Sequence, residues 1–177
     1  MQGMRVGVVL AVAGVVAAAA GCGSEATSVS SEADGTMSAT VNDTVHWEAS
    51  RSVVATITGD EFVMTGTEKS GHFVKITVRG VSAHPGNPDS TQTFSLSAVT
   101  SALIGFGQFG ETGSDLFSTT VQGGSGNVTI THLTDERAQG TFQFSAVRSN
   151  PPTNCGSIGC QDLFRRVSGG HFDVRLR

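Results

Sequence analysis

Residues 141–147 run Thr-Phe-Gln-Phe-Ser-Ala-Val, so that Phe142, Phe144 and Ala146 alternate one by one with Thr141, Gln143 and Ser145. A backbone that sends successive side chains to opposite faces is a β-strand, and this one has a single apolar face that must be buried. The C-terminal residues 170–177 repeat the rule, with Phe172, Val174 and Leu176 on one face and His171, Asp173 and Arg175 on the other. The same alternation recurs at residues 37–41, 45–49, 53–58, 61–65, 72–79, 91–97, 116–121 and 127–133, between clusters of Gly, Asn and Asp. These runs predict about ten strands. The composition agrees: 23 glycines and no tyrosine, with many Ser, Thr and Val, suit short strands and turns better than long helices. Asn42-Asp43, Gly59-Asp60 and residues 123–126 carry the turn chemistry of hairpins, so successive strands are expected to pair. The expected fold is all-β, an antiparallel meander of about ten strands that splits into a sandwich or curls into a partly closed barrel to protect its edges. Residues 98–110 are expected to form a short helix or an irregular strand, and Pro85, Pro88, Pro151 and Pro152 mark two surface loops.

The N-terminus follows different physics. Residues 1–5 supply a short positive start, and residues 6–21 are an uncharged run of Val, Ala, Gly and Leu. That run falls short of the roughly 20 apolar residues of a spanning helix and leads straight into polar sequence, as an export signal does. It ends Ala19-Ala20-Gly21-Cys22, which resembles the lipobox of bacterial lipoprotein precursors, although Ala19 stands where Leu is usual. The resemblance implies cleavage before Cys22 and diacylglycerol on its thiol; ordinary cleavage after residues 18–20 is the alternative. The chain has three cysteines, and Cys155 and Cys160 flank two glycines that let the backbone turn back on itself. A disulfide between Cys155 and Cys160 leaves Cys22 for lipid. So short a loop contributes about 2 kcal/mol, a local staple only. Residues 23–35 hold one valine among Ser, Glu and Gly, too little apolar surface to offset ordering. The expected organisation is therefore a signal peptide over 1–21, a lipidated flexible tether over 22–35 and a single β domain over 36–177.

Four segments resemble a known group: residues 39–49, 126–131, 140–146 and 169–174. They look like a family of uncharacterised bacterial lipoproteins that open on an Ala-x-Val-Asn-Gly-x-x-Trp-type hairpin and close on a Gly-x-Phe-x-Val-type strand. The resemblance spans residues 37–176 and implies an all-β fold on a lipid anchor, with no activity and no functional residue to carry over. Asp43 stands where that family usually has glycine.

Residues 105–110 match G-x-G-x-x-G letter for letter, yet Glu111-Thr112-Gly113-Ser114-Asp115 cannot open a crossover helix, so a glycine-rich loop or bulged strand is expected, with Phe106 and Phe109 packed inward. The five histidines, His46, His72, His84, His132 and His171, form none of the metal-binding spacings. A zinc site on Cys155, Cys160 and His171 lacks a fourth ligand and competes with the disulfide. Residues 124–126 lack the nucleophile-elbow spacing and read as a hairpin turn. The acidic pairs Asp60-Glu61 and Asp135-Glu136 flank turns, where carboxylates are solvated. Trp47, the single tryptophan, reads as a packing residue rather than a sugar platform. The net charge is −4, more negative by one unit once Arg5 leaves with the signal, and Arg165-Arg166 is the one basic pair, which argues against nucleic acid.

The sequence thus predicts no catalytic residue, cofactor or metal. It predicts a non-enzymatic lipoprotein of the cell envelope, in the outer membrane where the cell has one because Gly23 follows the cysteine. Its partners are the membrane, through the anchor, and an unknown envelope macromolecule or small ligand. Two rivals remain: a lipocalin-like barrel for a small apolar ligand, marked by an enclosed cavity, and a hydrolase, marked by His132 or His171 in reach of a buried acid and a serine.

Overall fold

The computed structural model describes residues 35–82, 87–97, 100–106, 115–150 and 163–177. Cys22, Cys155, Cys160 and Phe109 lie outside them, as do the signal and tether apart from Gly35. Among the described residues there is no helix, and eleven strands form one sheet that does not close. They are β1 (Gly35–Val41), β2 (Val45–Glu48), β3 (Ser52–Thr58), β4 (Glu61–Thr67), β5 (Phe73–Arg79), β6 (Gln92–Ser95), β7 (Ser101–Phe106), β8 (Asp115–Ser118), β9 (Ser125–Leu133), β10 (Arg137–Arg148) and β11 (Phe164–Arg175). All-β, antiparallel and unclosed, this is the expected class. Of residues 98–110, left open between helix and irregular strand, 101–106 form β7, and 98, 99 and 107–110 lie outside the described residues.

The strand order is β2-β1-β11-β10-β8-β7-β5-β4-β3, with β9 on β10 and β6 on β9. Successive strands pair at β1/β2, β3/β4, β4/β5, β7/β8, β9/β10 and β10/β11. Elsewhere the chain crosses over: β1 pairs β11, β5 pairs β7, β6 pairs β9 and β8 pairs β10, so pairing is not a simple succession. The cause is β10. Twelve residues long, it gives its first two-thirds to β9 and its last two residues, Val147 and Arg148, to Ser118 and Phe117 of β8. A layer β6-β9-β10-β11-β1-β2 thereby joins a layer β8-β7-β5-β4-β3. An isolated parallel bridge, Ala55 to Leu176, brings the β3 edge against the end of β11 without completing a ladder.

The layers pack face to face. Phe62 of β4 and Phe172 of β11 place ring centroids 6.0 Å apart. At Gly66 of β4, an added Cβ would lie 2.8 Å from Met37 Sδ and 2.9 Å from both Ala49 Cβ and Trp47 Cη2, so the missing side chain is what admits β1 and β2 to this distance. Trp47 is 3% exposed, a core residue as its sequence setting predicts. Phe142, Phe144 and Ala146 are buried together, in the predicted phase. Two rings fill the space over glycines on the facing strand: Phe142 pairs with Gly170, and Phe172 with Gly140. Phe73 does the same over Gly105 of β7, which gives the first glycine of the G-x-G-x-x-G match a packing role. β7 runs antiparallel to both β5 and β8, so this glycine sits in an antiparallel sheet; residues 107–110 of the match lie outside the described residues.

Turn chemistry held in most places. Asn42 and Asp43 both adopt positive φ, 51° and 59°, the requirement of a type I′ turn, and Val41 O accepts from Thr44 N. The turn at Gly59, φ 63°, joins Thr58 to its partner Glu61. The expected hairpin at 123–126 is corrected: β8 and β9 do not pair, and Ser125 and Gly126 belong to β9, opposite Ser145 and Phe144.

Candidate functional site

Alternation decides what the layer β6-β9-β10-β11-β1-β2 shows to solvent. Its inner face carries Met37, Ala39, Trp47, Val128, Ile130, Phe142, Phe144, Phe172 and Val174, all in the core cluster. Its outer face receives the residues between them, and strand register lines these up in rows. One row runs Thr93, Thr129, Thr141, His171, Ser38 and Glu48 across six strands. Beside it, Ser95, Asn127 and Gln143 form a second, and His132, Gln139, Asp173 and Thr36 a third. Hydroxyls, amides and imidazoles supply almost all of it. Thr93 and Thr129 hydroxyls meet at 3.1 Å, so even neighbours on this surface bond through side chains.

A bulge shapes this face. Phe142 pairs with Gly170 and Phe144 with Val167, while Ser38 pairs with His171 and Thr40 with Ser168, so β11 carries an extra residue against both neighbours. Gly169 sits there at φ 58°, a conformation that costs glycine little and bends and twists the strand. Around it lie two open depressions. One, of about 270 Å³, is lined by Asn127, Thr129, Thr141, Gln143 and His171 among others; the second, of about 220 Å³, by Ser125, Gln143, Ser145, Arg166 and Ser168 among others. Gln143 is common to both. The His171 side chain is exposed and has no hydrogen bond or ion pair among the described residues.

Charges on this face are mostly spent on one another. Arg137 donates from Nε and Nη2 to the two oxygens of Asp173 at 2.5 and 2.6 Å, and Gln139 Nε2 donates to Asp173 Oδ2 at 3.0 Å. The Arg137 hydrogen bonds hold the Asp173 carboxyl below its ordinary value, against a smaller opposing effect of burial. Arg166 Nη1 lies 3.5 Å from Asp43 Oδ2, and His132 Nδ1 lies 2.7 Å from Asp89 Oδ1.

At the end of the face away from Gly35 stands Phe164, 54% exposed. It pairs with Val147, and Arg166, two residues on, pairs with Ser145, so the ring continues the outer face beyond the second depression. Arg165, between them, turns inward and lays its guanidinium 4.5 Å from the centroid of the Phe117 ring, closing that end of the core. No local pattern in the sequence marks Phe164 as exposed; its place on the polar face is fixed by the register of β11.

The hydrolase rival names His132 and His171. The acid beside His132, Asp89, is 75% exposed, and among the described residues no serine or threonine hydroxyl bonds to His132 or His171. His72 lies by Glu68 in the β4–β5 turn, and Ser70 also bonds Glu68, so the acid stands between serine and imidazole. Asp60 and the Asp135-Glu136 pair lie exposed in turns. Among the described residues no three His, Cys, Asp or Glu side chains are grouped to hold a metal.

No curated protein and no solved structure matches the chain. A family model does, over residues 34–158, which takes in β1 through β10. The chain belongs to the family described as Domain of unknown function (DUF6252).

Proposed function

We propose that this chain is a non-enzymatic lipoprotein of the cell envelope, held to a membrane by lipid on Cys22, whose β domain binds another envelope molecule through the outer face of β6-β9-β10-β11-β1-β2. The observation that carries the reading is that face: rows of mainly uncharged hydrogen-bonding side chains that run from β6 to β1 and end on Glu48 of β2, two adjoining depressions, and the exposed His171, whose side chain has no partner among the described residues. The charged-start, apolar run and Cys22 of the N-terminus support export and anchoring, to the outer membrane in a cell that has one. Gly35, the first described residue, pairs with Val174, at the end of β11 opposite Phe164. The rival small-ligand barrel has less behind it, because Phe62 meets Phe172 and Gly66 meets Met37 and Trp47 across the interior.

The test compares wild type, Cys22→Ser and the face variant Gln143→Ala/His171→Ala, each tagged and full length. Cys22→Ser is expected in the soluble fraction, and its retention in membranes through a high-salt wash sinks the anchor. From envelope extract, wild type is expected to retain a component that the face variant loses; equal retention by both sinks the face.

A further inference from the structure

Resting on that reading, we infer that the face binds a glycan: an uncharged, polyhydroxylated chain lying along β10 from Thr141 to Phe164 of the neighbouring strand. The chemistry of the surface selects it. Asn127, Thr129, Thr141, Gln143, Ser145 and His171 offer donors and acceptors together, which is what a sugar hydroxyl, itself both, can satisfy. Charge complementarity points the same way. Arg137 is held by Asp173, and Arg166 stands by Asp43, so the trough presents little net charge to a ligand.

Other occupants fit worse. A protein interface wants a buried apolar centre, and the rows between Thr93 and Glu48 have none. Nucleic acid wants unpaired cations along a track, and a lipid surface wants a basic or broad apolar patch. What the face has instead is one exposed ring at one end. Phe164 offers its flat apolar side to the C–H face of a pyranose, beside Ser145 and Arg166, which can take the hydroxyls at the ring's rim. From Thr141 to Val147 the trough runs roughly 20 Å at strand rise, room for a short oligosaccharide rather than one sugar.

The experiment probes the full-length protein, purified in detergent, with an array of neutral oligosaccharides of graded length, and follows hits by titration calorimetry at low and raised salt. Saturable binding is expected that strengthens with length, is unmoved by salt, and falls about tenfold or more in Gln143→Ala, in His171→Ala and in Phe164→Ala. All three side chains are exposed, and unchanged melting curves confirm that the variants fold. A silent array overturns the glycan. Binding that survives all three substitutions overturns it as well, since the sugar then lies elsewhere. If the array is silent while a protein is still captured from extract and lost in the face variant, the inference fails and the proposed function stands; if neither readout responds to the face, both fail.

Discussion

Replacing Gly66 by alanine sets strand propensity against interlayer packing, and the two predict opposite signs. Gly66 has ordinary strand geometry, without positive φ, as the penultimate residue of β4. On propensity alone, alanine stabilises such a site by roughly 0.5–1 kcal/mol. The structure places Met37 Sδ, Ala49 Cβ and Trp47 Cη2 at 2.8, 2.9 and 2.9 Å from the new methyl, all well inside van der Waals contact. Met37 and Trp47 are 0% and 3% exposed, with little room to withdraw, and the Ala49 methyl moves only with its backbone. Overpacking of that kind costs about 1–3 kcal/mol. The net expectation is destabilisation of about 1–2 kcal/mol, or roughly 4–8 °C in Tm for a domain of this size. Urea and thermal melts followed by circular dichroism measure it. The double variant Gly66→Ala/Trp47→Phe supplies the control: Phe lacks the Cη2 atom, so the alanine should cost less in that background than alone, a coupling that distant sites do not show. An equal or higher melting midpoint for Gly66→Ala would refute the close approach of β4 to β1 and β2.

Two further outcomes follow from single residues. Asp43 holds φ 59° in the type I′ turn, where glycine pays no steric penalty, and its contact with Arg166 is long and exposed; Asp43→Gly is therefore expected to raise stability by about 1 kcal/mol in a urea melt, and a loss would show that the Arg166 contact outweighs the turn. Asp173 is held below its unfolded value by Arg137, so the stabilisation it contributes is whole at neutral pH and is lost as pH falls below the ordinary value of 3.8. Thermal melts across that acid range should show the lead of wild type over Asp173→Asn shrinking, and a constant gap would mean that the ion pair does not form.

How far the sequence reached depends on parity. In β10 the buried positions 138, 140, 142, 144 and 146 are all even, because the bulges of this region fall on its partners and not on β10 itself. Period-two reading therefore picked β10 out first and phased it correctly. β11 behaves otherwise. Arg165 and Val167 face inward before the bulge, Phe172 and Val174 after it, so the inward parity changes from odd to even at Gly169-Gly170. An alternation followed back from the C-terminus loses phase there, so it marks Gly170 as the start of a strand that begins at Phe164. β9 changes phase in the same way at Thr131, between Ile130 and Leu133. β7 was obscured for another reason: Gly105 supplies no side chain to the pattern, and the ring that covers it comes from Phe73, distant in sequence.

The candidate site was hidden by the same devices. Each of its residues was legible as the polar half of an alternating pair, but a row becomes a surface only when the neighbours of each strand are known. Those neighbours, β1 beside β11 and β6 beside β9, are joined by crossovers that no local turn signal records. The bulge hides the site as well. Without the extra residue at Gly169, Phe164 and Arg166 would share the inward parity of Phe172, and the exposed ring would point into the core. One glycine in a left-handed conformation thus decides both where the reading of β11 breaks and why an aromatic side chain stands beside the hydroxyl and amide rows.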